Sequence, residues 1–382
     1  VVIVNTNIQT VQADTYYKQG MAYENAGQWE GAVVLYNEAA KLEPQEDYYY
    51  LFLGRALLQL ADMTKPGNAL LPADLSNIPT RDLLELSERG ARSGTREDLM
   101  RAAQAALVAA RRLNPLNTDH SANLARLSRA WAFADALGPT DNPTDSRLRE
   151  ILAATGNKVD QTHLDQALTY YQQAVALSPQ NAQLWNELAT VQYIRNDLAG
   201  AQASINRSLA LDQRFPATYL LLGDVRDAAG DKEGALAAFR QAGQLAPNDL
   251  VTLSSVGVFS AETGDLQGAA DSFAQIIRSA TKAQTSAQTR LDALEQFVAQ
   301  SGGYNRLQSS AAAQRDALKR RIASYDSQLH LAYRNLALVL RDAGRPAEAL
   351  EAAQQALTYA GDDTDKAEIE SLIADLKQKL NQ

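Results

Sequence analysis

The chain has no cysteine among its 382 residues and only three histidines, His120, His163 and His330. Disulfides, thiolate metal ligands, redox pairs and cysteine nucleophiles are excluded together, although the absence of cysteine does not name a compartment. Three scattered imidazoles are too few for most histidine-based acid–base or metal chemistry. No apolar run reaches the roughly 18 residues of a membrane-spanning helix, so the sequence as given does not cross a bilayer. Bases are outnumbered, 36 against 45 acids, and the net charge of -9 repels phosphate backbones on average. Nucleic acid is therefore not an expected partner. The spacings Gly-x-x-x-x-Gly-Lys, Gly-x-Gly-x-x-Gly, His-Glu-x-x-His and Gly-x-Ser-x-Gly are all missing, so no enzyme class, metal or cofactor is implied.

What is present is a globular composition, 46% apolar and 21% charged. Val1, Val2, Ile3 and Val4 form an apolar, β-branched start that turns polar at Asn5-Thr6-Asn7. Residues 1–12 read as an extended assembly arm, as the remnant of an upstream membrane or signal segment, or as a frayed terminus.

Self-similarity is strongest in the centre of the chain. Ala167, Ala201, Ala235 and Ala269 recur every 34 residues, and Tyr171, Ile205, Phe239 and Phe273 keep that interval four residues later. Asn196, Gly230 and Gly264 mark turns at the same period, as do Ala189, Gly223 and Gly257 on the preceding helix. Near the front, Tyr16 and Tyr50, then Gly20 and Gly54, repeat it. Helical spacing of apolar residues inside each unit predicts two antiparallel helices per repeat. A small residue on the first helix admits the second closely, and a large apolar residue fills the gap to the next pair. No pair buries its own face alone, so the units must stack into an all-α, right-handed α-solenoid.

The first unit reads Tyr16, Gly20, Tyr23, Gly27, Ala32, Tyr36, Ala39 and Pro44, and with these positions the pattern resembles the tetratricopeptide repeat (TPR) family. The resemblance implies a single solenoid over 13–382, with about seven units from Ala13 to Gly361 and a closing polar helix near 366–380. It also implies a non-catalytic scaffold that presents an extended surface to other proteins. In this family the first helix of each unit lines the concave groove. By register, the candidate contacts are Tyr17 and Glu24, Arg126 and Arg129, Asn186 and Tyr193, Asp224 and Asp227, and Arg334 and Arg341, which alternate in sign along the groove. The subgroup that grips acidic chaperone tails uses a Lys and an Asn in its first unit. Tyr17 and Met21 stand at the matching positions, which argues against that clamp.

Three surpluses interrupt the period. Pro44 to Pro115 exceeds one repeat by 37 residues and Pro115 to Pro179 by 30, which places insertions at about 62–94 and 138–160, each between the paired helices of one unit. Leu83, Leu84 and Leu86 in the first, and a short helical stretch at 147–154 in the second, predict that both fold back onto the stack. Gly264 to Gly344 exceeds a repeat by 46, and residues 282–328 predict an extra helical hairpin around Ser301-Gly302-Gly303, either widening the stack or protruding as an arm. Acidic residues at Asp362, Asp363 and Asp365 suit the start of a capping helix. Those at 141–145 lack the spacing of a calcium loop.

Fifteen tyrosines cluster at 16–17, 48–50 and 170–171, where one member of each cluster is a packing residue and its exposed neighbour offers a stacking surface for a peptide or a sugar. Asn206-Arg207-Ser208 fits an N-glycosylation sequon inside a predicted helix. The first sixty residues also look similar to the soluble repeat region of bacterial O-antigen ligase-like membrane proteins. That likeness implies a place outside the cytoplasm, in the periplasm, on the cell surface or secreted, and an accessory role beside a membrane-embedded glycan ligase. Self-assembly is the structural alternative, because end-to-end contact between copies of a solenoid makes a filament or a ring.

Overall fold

The computed structural model describes residues 2–134, 159–300 and 305–381, and among these residues there are sixteen helices and no strand. The chain divides into two compact units, residues 1–213 and 214–382. In the first, α1 (Val2–Asn25) pairs with α2 (Trp29–Leu42), and α3 (Asp47–Asp62) pairs with α5 (Arg96–Leu113). The helix α4 (Thr80–Ser93) lies between them in sequence and packs on α5 and α2. Then α6 (Thr118–Phe133) pairs with α7 (Gln161–Leu177), and α8 (Ala182–Ile194) with α9 (Leu198–Leu211). In the second unit α10 (Pro216–Ala228) pairs with α11 (Lys232–Leu245), α12 (Leu250–Glu262) with α13 (Leu266–Gln300), and α14 (Asn305–Asp342) with α15 (Pro346–Thr358), before α16 (Asp363–Leu380) closes the stack. These seven pairs are the seven repeats.

The turn between paired helices is written in a few residues. Asn196, Gly230 and Gly264 adopt φ of 60°, 85° and 83°, the left-handed region that ends a helix and that Gly and Asn reach at least strain. The next residue is Asp197, Asp231 or Asp265, whose carboxylate accepts from the backbone N–H of Gly200, Gly234 or Gly268 at 2.9–3.0 Å and caps the following helix. Inside each pair the helices touch at a small residue. A Cβ built on Gly20 would lie 2.6 Å from the Tyr36 ring, and one on Gly223 equally close to the Phe239 ring. Tyr36 is fully buried and Phe239 nearly so.

The first insertion folds back, as its leucines predict. Leu71, Leu75, Leu83, Leu84 and Leu86 are all buried. The loop ahead of α4 is pinned by α5: Asp98, fully buried, accepts from the N–H groups of Leu70 and Leu71 at 2.8 Å. Burial opposes ionisation of Asp98, but the backbone bonds from Leu71 and Leu70 outweigh it and hold the carboxyl below its ordinary value. Arg101 donates to the Leu71 carbonyl, and Arg112 donates to those of Leu75, Ser76 and Ile78. The second insertion falls mostly at 135–158, outside the described residues. At the far end, Asp362 accepts from the Asp365 N–H at 2.8 Å to cap α16, and Ile369 and Leu376 are fully buried in the cluster with α15.

Two expectations are corrected. Residues 2–12 are not an extended arm: Val2, Ile3 and Val4 form the first turn of α1, while Val1 lies outside the described residues. Each β-branched residue disfavours a helix by only about 0.5 kcal/mol, too little to stop propagation from an established turn. The helical hairpin expected at 282–328 is present as the continuation of two repeat helices and not as an extra pair of helices. The surplus lengthens two repeat helices, so α13 runs 35 residues and α14 runs 38 without a break, and the predicted turn at 301–303 lies outside the described residues.

The contact between Gly20 and Tyr36 carries a stability prediction. Gly20→Ala forces the Tyr36 ring aside and lowers stability by about 1–3 kcal/mol, despite alanine's higher helix propensity. Urea unfolding monitored by circular dichroism reads this as a lower midpoint.

Candidate functional site

The inner face of the first unit holds an open groove of about 640 Å³. Its floor is Leu51, Phe52 and Leu58 from α3, with Trp29 from the start of α2. Around that floor stand Glu24 from α1, Arg55, Gln59 and Asp62 from α3, Asp119, Asn123, Arg126 and Arg129 from α6, and Gln183 from α8. Successive first helices of the repeats supply most of this surface because their exposed faces lie one repeat apart. An apolar floor ringed by charges of both signs suits a peptide better than a single small ion.

The rim is organised by fixed pairs. Arg55 lies over the Phe52 ring with its guanidinium carbon 5.0 Å from the centroid, and its Nη2 is 3.3 Å from Glu24. Glu24 also accepts from the Tyr36 hydroxyl. Burial, then that bond to a carboxylate, pushes the Tyr36 phenol well above its ordinary value. Arg126 makes a two-pronged contact with Glu187, donating from Nε at 2.9 Å and from Nη2 at 2.8 Å, and Gln183 donates to the same carboxylate at 2.9 Å. Burial disfavours the Glu187 anion, but the Arg126 bonds and charge outweigh it and leave the carboxyl below its ordinary range. Asp62 behaves oppositely: burial pushes it up to about 6, and the charge of Arg96 only partly offsets this.

Of the residues expected in the groove, Glu24, Arg126 and Arg129 are brought together here. Tyr17 is a correction. It is 8% exposed and packs edge-on to Tyr48 and Phe52, with ring centroids 4.6 and 5.1 Å away, behind the groove wall. Asn186, Tyr193 and Asp224 are likewise buried, and Asp227 is half-buried. Register alone assigned these positions to the surface, whereas packing within the stack covers them. Arg334 and Arg341 line a smaller groove of about 300 Å³ in the second unit, with Glu368 and Asp375, and Arg334 donates from Nε to Glu368 at 2.9 Å.

Leu51, Arg55 and Leu58 were missed, although they stand one period after Tyr17, Met21 and Glu24 and the repeat itself identifies them. None of the histidines lines this groove. His120 is fully buried and bonded to Asp47, and His330 is buried with Nδ1 donating to the Ala356 carbonyl at 3.0 Å. The His163 ring stacks on Trp131 at 4.7 Å. Exposed tyrosines do occur, Tyr16 and Tyr23 on α1, whereas Tyr170 lies beneath Arg111. Among the described residues no group of three or more His, Asp or Glu is placed to hold a metal ion, and no helix is long and apolar enough to cross a membrane.

The two carboxylates predict opposite pH responses. The Glu187 contribution is present above the unfolded value of 4.5 and is lost as pH falls through the lower folded value. Arg126→Met removes it and costs about 2–3 kcal/mol at pH 7, less than a fully buried pair because the arginine stays 33% exposed. Asp62, protonated in both states below 3.8, weighs against folding as pH rises from there through about 6. Asp62→Asn removes that downward slope. Melting temperature against pH, compared with wild type, separates the two.

Family profiles described as Tetratricopeptide repeat match residues 13–46, 157–217 and 217–249. Sequence relatives include the tetratricopeptide repeat and J domain-containing co-chaperone DNJ1 of Fusarium oxysporum f. sp. lycopersici, 31% identical over 126 residues. Human protein O-mannosyl-transferase TMTC1 is 26% identical over 197 residues. The matches span 32% and 50% of this chain but only 24% and 18% of those relatives' own lengths. Among solved structures, the C-terminal part of a TPR repeat-containing protein from Cytophaga hutchinsonii aligns over 91% of this chain and 97% of that one, at 12% identity and a TM-score of 0.46. The thermophilic TPR protein TTC0263 of Thermus thermophilus aligns over 65% and 98%, at 18% identity and a TM-score of 0.42. With family matches falling where the turns and packing contacts described above recur, residues 13–46, 157–217 and 217–249 are tetratricopeptide repeats.

Proposed function

We propose that this protein is a non-catalytic scaffold that holds a peptide segment of another protein in the groove of its first unit. The observation that carries this reading is the composition of that groove: a floor of Leu51, Phe52 and Leu58 beside Arg55, Asn123 and Asp119, open to solvent and built from consecutive repeats. An apolar side chain of the peptide rests on the floor, and its flanking polar groups meet the charged rim. Arg55 is the expected anchor, since its cation–π contact with Phe52 fixes the guanidinium while leaving the side chain 45% exposed. Because burial holds Asp62 near 6, the rim gains negative charge as pH rises through that value, which tunes the preferred peptide charge. The likeness of the first sixty residues to the soluble repeats of O-antigen ligase-like proteins supports, within the same proposal, a location outside the cytoplasm.

A photo-reactive amino acid placed at Gln59 tests the proposal directly. In the native cell it should cross-link one defined partner that the same group at exposed Lys18 on α1 does not capture. A synthetic peptide from the cross-linked segment should bind the purified protein, and Arg55→Glu should weaken it about tenfold or more. Cross-linking that does not depend on position, or an affinity unchanged by Arg55→Glu, rejects the groove as the binding site.

A further inference from the structure

The distal parts of α13 and α14, residues 283–300 and 305–328, form a two-helix arm. Gln284 donates to Asp326, and Lys319 Nζ lies 3.7 Å from Glu295, which fixes the helices as antiparallel. Two helices alone do not enclose a core, and the seam shows it. Leu291 is buried, but Leu294 and Leu318 are only half-covered and Phe297 is 55% exposed. Along one edge of the seam runs an open groove of about 570 Å³ lined by Arg290, Ala293, Leu294, Gln314, Ala317 and Leu318. Phe297 continues this stripe at helical spacing from Ala293 and Leu294. The small alanines let a third helix approach closely.

Charge decides what covers the groove. Residues 282–328 carry seven Lys and Arg against four Asp and Glu, a net of +3 in a chain whose total is -9. Arg290 lines the groove, and Arg321 follows Ala317 and Leu318 by one turn on the same helix face, exposed, with its Nε donating to the Tyr325 hydroxyl at 3.2 Å. The carboxylates lie elsewhere: Glu295 pairs with Lys319, Asp326 accepts from Gln284, and Asp292 and Asp316 are exposed about half a helical turn from the groove residues. A second copy of the arm would set these arginines against their own kind. We propose that the groove docks an amphipathic helix of a partner protein whose apolar stripe is flanked by Asp and Glu, completing a three-helix bundle. The site lies in the second unit and does not depend on the groove reading for the first.

The test titrates the full chain into a fluorescein-labelled synthetic helix of about 21 residues, Leu-striped at heptad spacing and flanked by Glu. A Lys-flanked twin and a scrambled peptide of the same composition serve as controls. The Glu-flanked helix should bind, with an affinity that falls as salt is raised. Arg290→Glu combined with Arg321→Glu should weaken it about tenfold or more and should confer binding of the Lys-flanked twin, a gain that misfolding does not produce. Ala317→Trp should fill the groove and abolish binding of both helices while the thermal melt stays unchanged. No binding of the Glu-flanked helix, equal binding of the scramble, or a preference that ignores the charge swap would overturn the proposal. Arm-to-arm cross-linking between two copies would overturn it as well, by making the second copy the occupant.

Discussion

The contact on which the structure depends is a small residue on one helix receiving a large one from its partner. Gly20 receives Tyr36, Gly223 receives Phe239 and Gly257 receives Phe273, each pair 16 residues apart. Gly54 receives Leu107, 53 residues on, and the excess of 37 is the length of the first insertion. The chain therefore absorbs an insertion between paired helices without losing the contact that joins them. In a quasi-one-dimensional stack each unit rests on its neighbours alone, so this local contact repeated along the chain sets the geometry of everything else.

Packing and recognition use different faces of the same helices, and the division is uneven. On α1, Tyr17 is consumed by the aromatic cluster with Tyr48, Tyr49 and Phe52, while Glu24, two turns later, reaches the groove. On α6, Arg126 faces the groove yet is committed to Glu187 on α8, so it works as a strut that joins two repeats and as part of the rim. Arg55 has the lighter commitment, one long contact to Glu24 and a stacking contact with Phe52, which leaves it available to a ligand.

Much of this was legible in the sequence because it is periodic. The left-handed turns at Asn196, Gly230 and Gly264, the aspartate caps that follow them and the buried partners of the small residues all repeat at 34. What was not legible is aperiodic or long-range. Nothing near Asp98, Arg101 or Arg112 in the sequence reveals that they hold a loop some thirty residues upstream by its backbone. The helical start at Val2 was hidden by weak local propensity, and the continuous α13 and α14 by a surplus that reads equally well as two new helices. Arg55 was missed for a different reason. It stands 34 residues after Met21, which is not itself one of the expected groove contacts of the first unit.

The central claim is that the small-to-large contact is a direct steric fit between paired helices. A double-mutant cycle on Gly223 and Phe239 measures it. If the fit is direct, Gly223→Ala destabilises the wild type but does much less harm beside Phe239→Leu, and the two changes couple by about 1 kcal/mol or more. Strict additivity, with Gly223→Ala equally damaging in both backgrounds, would contradict the account.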